Sequence, residues 1–173
     1  VSRVTDIFFA IPLLLGAILF MSATQPQGRS YFVIILLVVT AISILGWPSL
    51  ARLMRSSVMQ VMPNDYVQAA RALGASPWRI IRSHIIPNAM GPMIVVSTIN
   101  LGAYIAAEAT LSFLGIGLQP PVISWGVSIS EAIVGLRTTP HMLLFPSLFL
   151  SLTVLAFIML GDAIRDAFDP KTR

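Results

Sequence analysis

The twenty residues from Tyr31 to Leu50 carry no charged side chain. At about 1.5 Å of rise per residue they make a helix of roughly 30 Å, the thickness of a bilayer's hydrocarbon core. Lipid offers the backbone no hydrogen-bond partner, so such a segment must be helical or part of a closed barrel. Barrel strands alternate apolar and polar residues, and this run is continuously apolar. Helix is the reading. Three further apolar segments follow the same logic: Ile7 to Ala23, with Pro12 and Gly16 inside it; one from Met90 or Pro92 to about Leu114; and Met142 to Leu160, with Pro140 near its start and Pro146 inside. Proline is tolerable in a span because neighbouring helices, water or Ser/Thr can satisfy the freed carbonyl. The expectation is an all-α membrane protein of about four spans. Composition agrees, with 56% hydrophobic and only 10% charged residues, outside the usual soluble range. There is no cysteine, which excludes a disulfide framework and a thiolate metal site.

The basic residues orient these spans. With the 51–90 loop inside the cell, Arg3, Arg52, Arg55, Arg71, Arg79, Arg82, Arg165, Lys171 and Arg173 all lie inside, and only Arg29 and Arg137 lie outside. The positive-inside rule then places both ends of the chain in the cytoplasm. The net charge of +4 forms no single basic face, so span-flanking arginines explain it better than nucleic acid does. A cleaved signal peptide is the bland reading of Arg3, the first apolar run and Ser22-Ala23. The run is long, interrupted by Pro12 and followed by more spans, so we expect an upstream portion of the protein before Val1. No repeat or linker is visible, and residues 1–173 read as one membrane domain.

Between the second and third spans lies a polar, basic stretch, 64–88. Asp65 to Leu73 is rich in good helix formers, and Gly74 is a natural stop. Ser76 then offers an N-cap oxygen, Pro77 fits the first helical position, and Trp78 to Ile86 continue a second helix until Pro87. Helix, glycine hinge, helix is a shape that docks into a groove. The alternative is an amphipathic surface helix lying on lipid, its arginines near headgroups.

This stretch resembles the cytoplasmic "EAA" loop of permease subunits of binding-protein-dependent ABC importers. The matching positions are Gln68-Ala69-Ala70, Gly74 four residues on, Ile80 or Ile81, and His84-Ile85-Ile86-Pro87-Asn88. The departure is Gln68, where the family's loop has Glu, so a salt bridge to a partner cannot form there while a hydrogen bond still can. Two further stretches resemble the second permease of dipeptide, oligopeptide and nickel importers. One is Ala106-Ala107-Glu108-Ala109-Thr110-Leu111-Ser112-Phe113-Leu114-Gly115-Ile116-Gly117-Leu118-Gln119-Pro120-Pro121 with Ser124-Trp125-Gly126. The other runs from Leu155 through Gly161-Asp162-Ala163-Ile164-Arg165-Asp166 to Pro170. Several motifs in order are harder to obtain by chance than one.

The resemblance implies the transmembrane domain of a type I ABC importer, usually with two further spans upstream, in the prokaryotic inner membrane. Its partners would be a second permease subunit, two ATPase subunits, an extracytoplasmic substrate-binding protein and membrane lipid. The chain has no phosphate-binding loop, so ATP and Mg would be bound by the ATPase subunits, with no cofactor and no catalytic site here. Ser76 to Ile86 would be the coupling element. Trp78 and the Ile80/Ile81 pair would anchor it in a groove, and Arg71, Arg79 and Arg82 would meet acidic or carbonyl groups at the rim. Gly74 would let the two helices cross tightly. Cargo would be peptides, with nickel chelates, glutathione-like compounds or other small solutes as alternatives.

Individual residues also have plainer readings. Trp78 can be an interfacial aromatic anchor, and His84 can be packing or capping rather than a pH sensor. Glu108, the acidic residue within a span, either lines the pathway or braces the turn before Ser112, and the brace is favoured because Gly115 and Gly117 soon break the helix. The outer stretch from Gly115 to Thr139 suggests turns and a short interfacial or re-entrant helix, open to the binding protein, while Glu131 and Arg137 are as readily ordinary solvated charges. The tail from Gly161 to Arg173 either touches the ATPase side or is a solvated helix end. A secondary transporter would need ionisable relays within spans, and only Glu108 offers one. An enzyme would need a nucleophile–base set, and His84 and His141 fall on opposite sides by this topology.

Overall fold

The computed structural model describes residues 2–24, 28 and 30–168, and every regular element among them is helical. Arg29, Lys171 and Arg173 of the charge pattern, and the end of the 161–173 tail, lie outside the described residues. Three helices are long and apolar enough to cross a membrane, or up to four if one bent pair counts as a span.

The bent pair corrects the first expected segment. Ile7 to Ala23 is not one straight helix but α1 (Ser2–Phe9) and α2 (Leu13–Thr24), turned 83° from each other. Proline 12 is the cause. It has no N–H to donate and disfavours helical backbone at the residue before it. The second segment, α3 (Tyr31–Val61), runs well past Leu50 because Met54, Val58 and Val61 continue an apolar stripe at helical spacing.

After α4 (Asp65–Ala72), a second correction concerns the helix that begins at Pro77. The short α5 (Pro77–Ile80) passes through a π-helical turn, Ile81–Ile85, into α6 (Ile86–Phe113). The result is one run of 37 residues from Pro77 to Phe113 that does not stop at Pro87. A proline in an ordinary α-helix leaves a carbonyl one turn back without its donor. Here the register changes just ahead of it: the Ile86 N–H bonds the Ile81 carbonyl, and the Asn88 side-chain amide donates to the His84 carbonyl at 2.7 Å. Pro87 thereby sits in the first turn of α6, where its missing N–H is tolerated.

The central helix is α6. It runs antiparallel to α3, with Tyr104 against Gly46 and Ala89 beside Val61, and antiparallel to α8 (Pro140–Phe168), with Gly102 facing Val154 and Ile99 facing Gly161. A Cβ on Gly46 would lie 2.6 Å from the Tyr104 hydroxyl, and one on Gly102 would lie 3.1 Å from the Val154 carbonyl oxygen. Small residues at these crossings are what membrane helices use to pack without help from water. A core of Ala17, Met21, Val38, Ala41, Ile42, Ala107 and Leu111 joins α2, α3 and α6.

The expected short outer helix is α7 (Trp125–Ala132), capped by Ser124, whose Oγ accepts the Val127 N–H at 3.2 Å. It is wedged between α6 and α8 rather than lying free. Trp125 stacks on Phe149 with ring centroids 5.8 Å apart, and Gly126 lies directly on the backbone of Ala109. A Cβ at Gly126 would collide with the Ala109 carbonyl, and a backbone group cannot rotate away. Gly126→Ala should therefore cost about 1–3 kcal/mol, read as a lower melting temperature of the purified protein in detergent. An unchanged melting temperature would mean that α7 is not seated on α6.

Candidate functional site

Segment 64–88 has a core of its own. Val67 of α4 is fully buried, and Ile80, Ile85, Val61 and Ala89 close around the same cluster. Met54 and Val58 of α3, with Ala70 and Ala75, pack against it. The segment is thus fastened to the end of α3 and the start of α6, not strung loosely between them. The apolar stripe at 54, 58 and 61 was the available sequence signal for this attachment, and reading the span as ending at Leu50 missed it.

The expected glycine stands between the two helices, with a different physical reason. Gly74 has φ +79, and apart from its chain neighbours no heavy atom lies within 4 Å of where its Cβ would be. Tight helix crossing does not require this glycine; the left-handed backbone does. Around it, Gly74 N–H bonds the Arg71 carbonyl at 3.0 Å and Ala75 N–H bonds the Ala70 carbonyl at 3.1 Å, which is a Schellman closure of α4. The Ala69 carbonyl accepts from Leu73, so each carbonyl from 69 to 71 is used. Ser76 caps α5 as expected, its Oγ accepting the Arg79 N–H at 3.4 Å, and Pro77 occupies the first turn.

Gln68 is committed within the chain. Its side-chain amide donates to the Met62 carbonyl at 3.0 Å, closing the turn between α3 and α4. A glutamate at this position has no proton to donate at neutral pH, so this chain's departure from the family's Glu is structurally used.

What remains on the surface is apolar and basic. Leu73 is 87% and Trp78 is 68% exposed, with Ile81 one turn beyond Trp78 on the same face and also exposed. Ile80, expected to share the anchor, points into the segment's core instead. Arg71, Arg79 and Arg82 are exposed, and among the described residues none of them forms an ion pair. Arg71 and Ile81 also border a cleft of about 640 Å³ lined by Met54, Val58, Pro77 and Ile85. Pro87 is exposed at the junction with α6.

At the opposite end of α6, Glu108 is part of a brace. Ser112 Oγ donates to Glu108 Oε1 at 2.7 Å and accepts the Leu118 N–H at 2.9 Å, tying the helix end to the loop after it. Gly115 ends the helix at φ +74, while Gly117 packs against Ser112 so closely that a Cβ would lie 2.7 Å from its nitrogen. Among the described residues no group of three or more acidic, histidine or cysteine side chains is placed to hold a metal ion. Glu108→Gln keeps an oxygen for Ser112, so stability should be unchanged. Ser112→Ala strands both partners and should cost about 1–3 kcal/mol in thermal unfolding. Transport lost in Glu108→Gln without any loss of stability would show that its charge, not its hydrogen bond, is what matters.

The whole chain, residues 1–173, matches the family described as binding-protein-dependent transport system inner membrane component. It is 39% identical over 171 residues to the oligopeptide transport system permease protein OppC of Bacillus subtilis, covering 99% of this chain and 54% of that protein. It is 39% identical over 173 residues to the glutathione transport system permease protein GsiD of Pectobacterium atrosepticum, covering 100% of this chain and 55% of that one. With the dipeptide transport system permease protein DppC of Bacillus subtilis the identity is 38% over 172 residues, covering 99% of this chain and 52% of the relative. The chain spans about half the length of these curated relatives.

Proposed function

The chain belongs to the family of binding-protein-dependent transport system inner membrane components, and from that premise we propose that it forms half of the translocation pathway of an ATP-driven importer of peptides or peptide-like solutes. The observation that carries the coupling role is the exposed Leu73, Trp78 and Ile81 surface, flanked by arginines that form no ion pair among the described residues, on a segment packed against two long apolar helices. Apolar side chains this exposed on an ordered, water-facing segment call for a protein partner.

That partner is the ATPase subunit. Trp78 and Ile81 enter an apolar groove, as a helix docks into a groove, and Arg71, Arg79 and Arg82 meet acidic groups or carbonyls at its rim. Gln68, Ala69, Ala70, Gly74, Ser76 and Pro77 hold the geometry without themselves being the anchor. When the ATPase subunits close, the docked segment moves with them. Because Val67 and Ile80 bind it to α3 and α6, the motion reaches the spans as a rigid-body tilt. A second permease subunit completes the pathway, and an extracytoplasmic binding protein delivers cargo at the α7 end. Oligopeptide, glutathione and dipeptide transport, named for the three relatives, are one chemical class, which favours peptides over nickel chelates or other small solutes. A secondary transporter is disfavoured because Glu108, the acidic group within α6, is engaged by Ser112.

Two experiments test this reading. Trp78→Ala should weaken ATPase-subunit retention on dilution of the detergent-purified complex by about 30-fold, as loss of a buried aromatic anchor costing about 2 kcal/mol requires. Retention equal to the parent would return Trp78 to a lipid-interface role. For orientation, single cysteines replacing Ser76 and Ser128 should react with an impermeant reagent from the cytoplasmic and external sides respectively. Labelling at position 76 from outside would reverse the topology.

A further inference from the structure

Helix α1 meets α3 at two heights. Phe8 packs edge-on to Trp47, with ring centroids 5.9 Å apart. Asp6 accepts a 2.6 Å bond from Arg52, whose guanidinium also lies 4.1 Å from the centre of the Phe9 ring. Trp47 belongs to the apolar run that ends at Leu50, and Arg52 is the first charge beyond it. Along α3 these two residues mark where hydrocarbon gives way to water.

The residues of α1 fall in the same order around its axis. Val4, Ile7 and Phe8 share one side at 3.6 residues per turn, Arg3 and Asp6 share the next, and Thr5 is buried against the protein. The apolar edge therefore turns toward Trp47 and the membrane interior, and the polar edge toward Arg52 and water. Val4 and Ile7 stay exposed, at 50% and 67%. Helices α2 and α3 also carry exposed apolar side chains, among them Leu15, Leu19, Leu36 and Val39. Helix α2 packs alongside α3, with Gly16 on Leu45, and α1 stands at 83° to it. If α2 is upright in the bilayer, α1 lies nearly in its plane.

We infer that α1 is an in-plane interfacial helix, its Val4–Ile7 edge covered by lipid acyl chains and Arg3 among anionic headgroups, in the leaflet on the side of segment 64–88. This rests on the reading of the chain as a membrane component and assigns a lipid partner to a surface apart from the proposed Trp78 docking face. An amphipathic helix of this kind settles roughly 5–10 Å into the boundary between headgroups and acyl chains. The Asp6–Arg52 pair, with Arg52 over Phe9, holds α1 at that depth on α3.

The test reconstitutes the chain in phosphatidylcholine–phosphatidylglycerol vesicles with a nitroxide on one cysteine at a time. The variants are Val4→Cys, Ile7→Cys, Leu19→Cys on α2 and Met59→Cys on α3 beyond Arg52. Power saturation with oxygen and a soluble nickel chelate gives each label's depth from the nearer leaflet. Labels at 4 and 7 should share a depth roughly 5–10 Å below the phosphates, with 19 deeper and 59 in water. Labels at 4 and 7 as open to nickel as the one at 59 would overturn the proposal. So would a depth that steps along the chain by about 1.5 Å per residue toward that of Leu19, since α1 and α2 would then be one straight span. A reversed topology changes cysteine labelling at 76 and 128 but not these depths, so the two readings fail separately.

Discussion

One helical rod organises the molecule. From Pro77 to Phe113 the backbone is helical throughout, 37 residues and about 55 Å long, against a hydrocarbon core of about 30 Å. It must project from the bilayer, and the projecting part is the surface read as the docking site. At its outer end the Glu108–Ser112–Leu118 brace fixes the loop that leads to α7. The Trp78 surface and this brace are thus the two ends of one helical run, in which Pro87 and Pro92 donate no main-chain hydrogen bond. The π-helical turn at Ile81–Ile85 is the irregularity in this rod, and it falls where Pro87 makes regular α bonding impossible.

Two solvents impose two kinds of packing on it. Inside the bilayer, lipid is as apolar as leucine, so helices gain little from burying hydrocarbon and associate through close backbone approach. Gly102 against Val154 and Gly126 against Ala109 are such contacts, while Gly46 makes room for the Tyr104 side chain. Outside it, water restores the hydrophobic effect. There Val67, Ile80 and Ile85 form a conventional small core, each side chain contributing about 1.5–3 kcal/mol on full burial. Segment 64–88 packs for a reason that does not operate in the spans themselves.

Much of the site was legible because its signals are local. Ser76 as cap, Pro77 at the helix start and Gly74 as stop each act within a few residues, and all three stand where the sequence places them. The division of Ile80 from Ile81 was not legible. Adjacent isoleucines on a helix are about 100° apart, and which one faces inward depends on where Val61 and Val67 arrive from elsewhere in the chain. Gln68 is similar. Its role depends on the Met62 carbonyl, which comes within reach only once α3 extends past its apolar run.

By itself the sequence determined the all-helical membrane class, the apolar middles of the spans after the first but not their ends, the helix–glycine–helix segment and the family. The family was read from the resemblance of several motifs in order; the rest follow from hydrocarbon thickness, backbone hydrogen bonding and the preferences of glycine, proline and serine, none of which needs a distant residue. Tertiary structure decided what proline does in context and what each face meets. Pro12 breaks its segment into a right-angled pair, whereas Pro87 is absorbed because the π turn and Asn88 satisfy the carbonyls around it. It also decided that Glu108 pairs with Ser112 and that α1 is pinned across α3 by Arg52. Such outcomes are set by which groups reach one another across the fold, and that distance is not written in the order of residues.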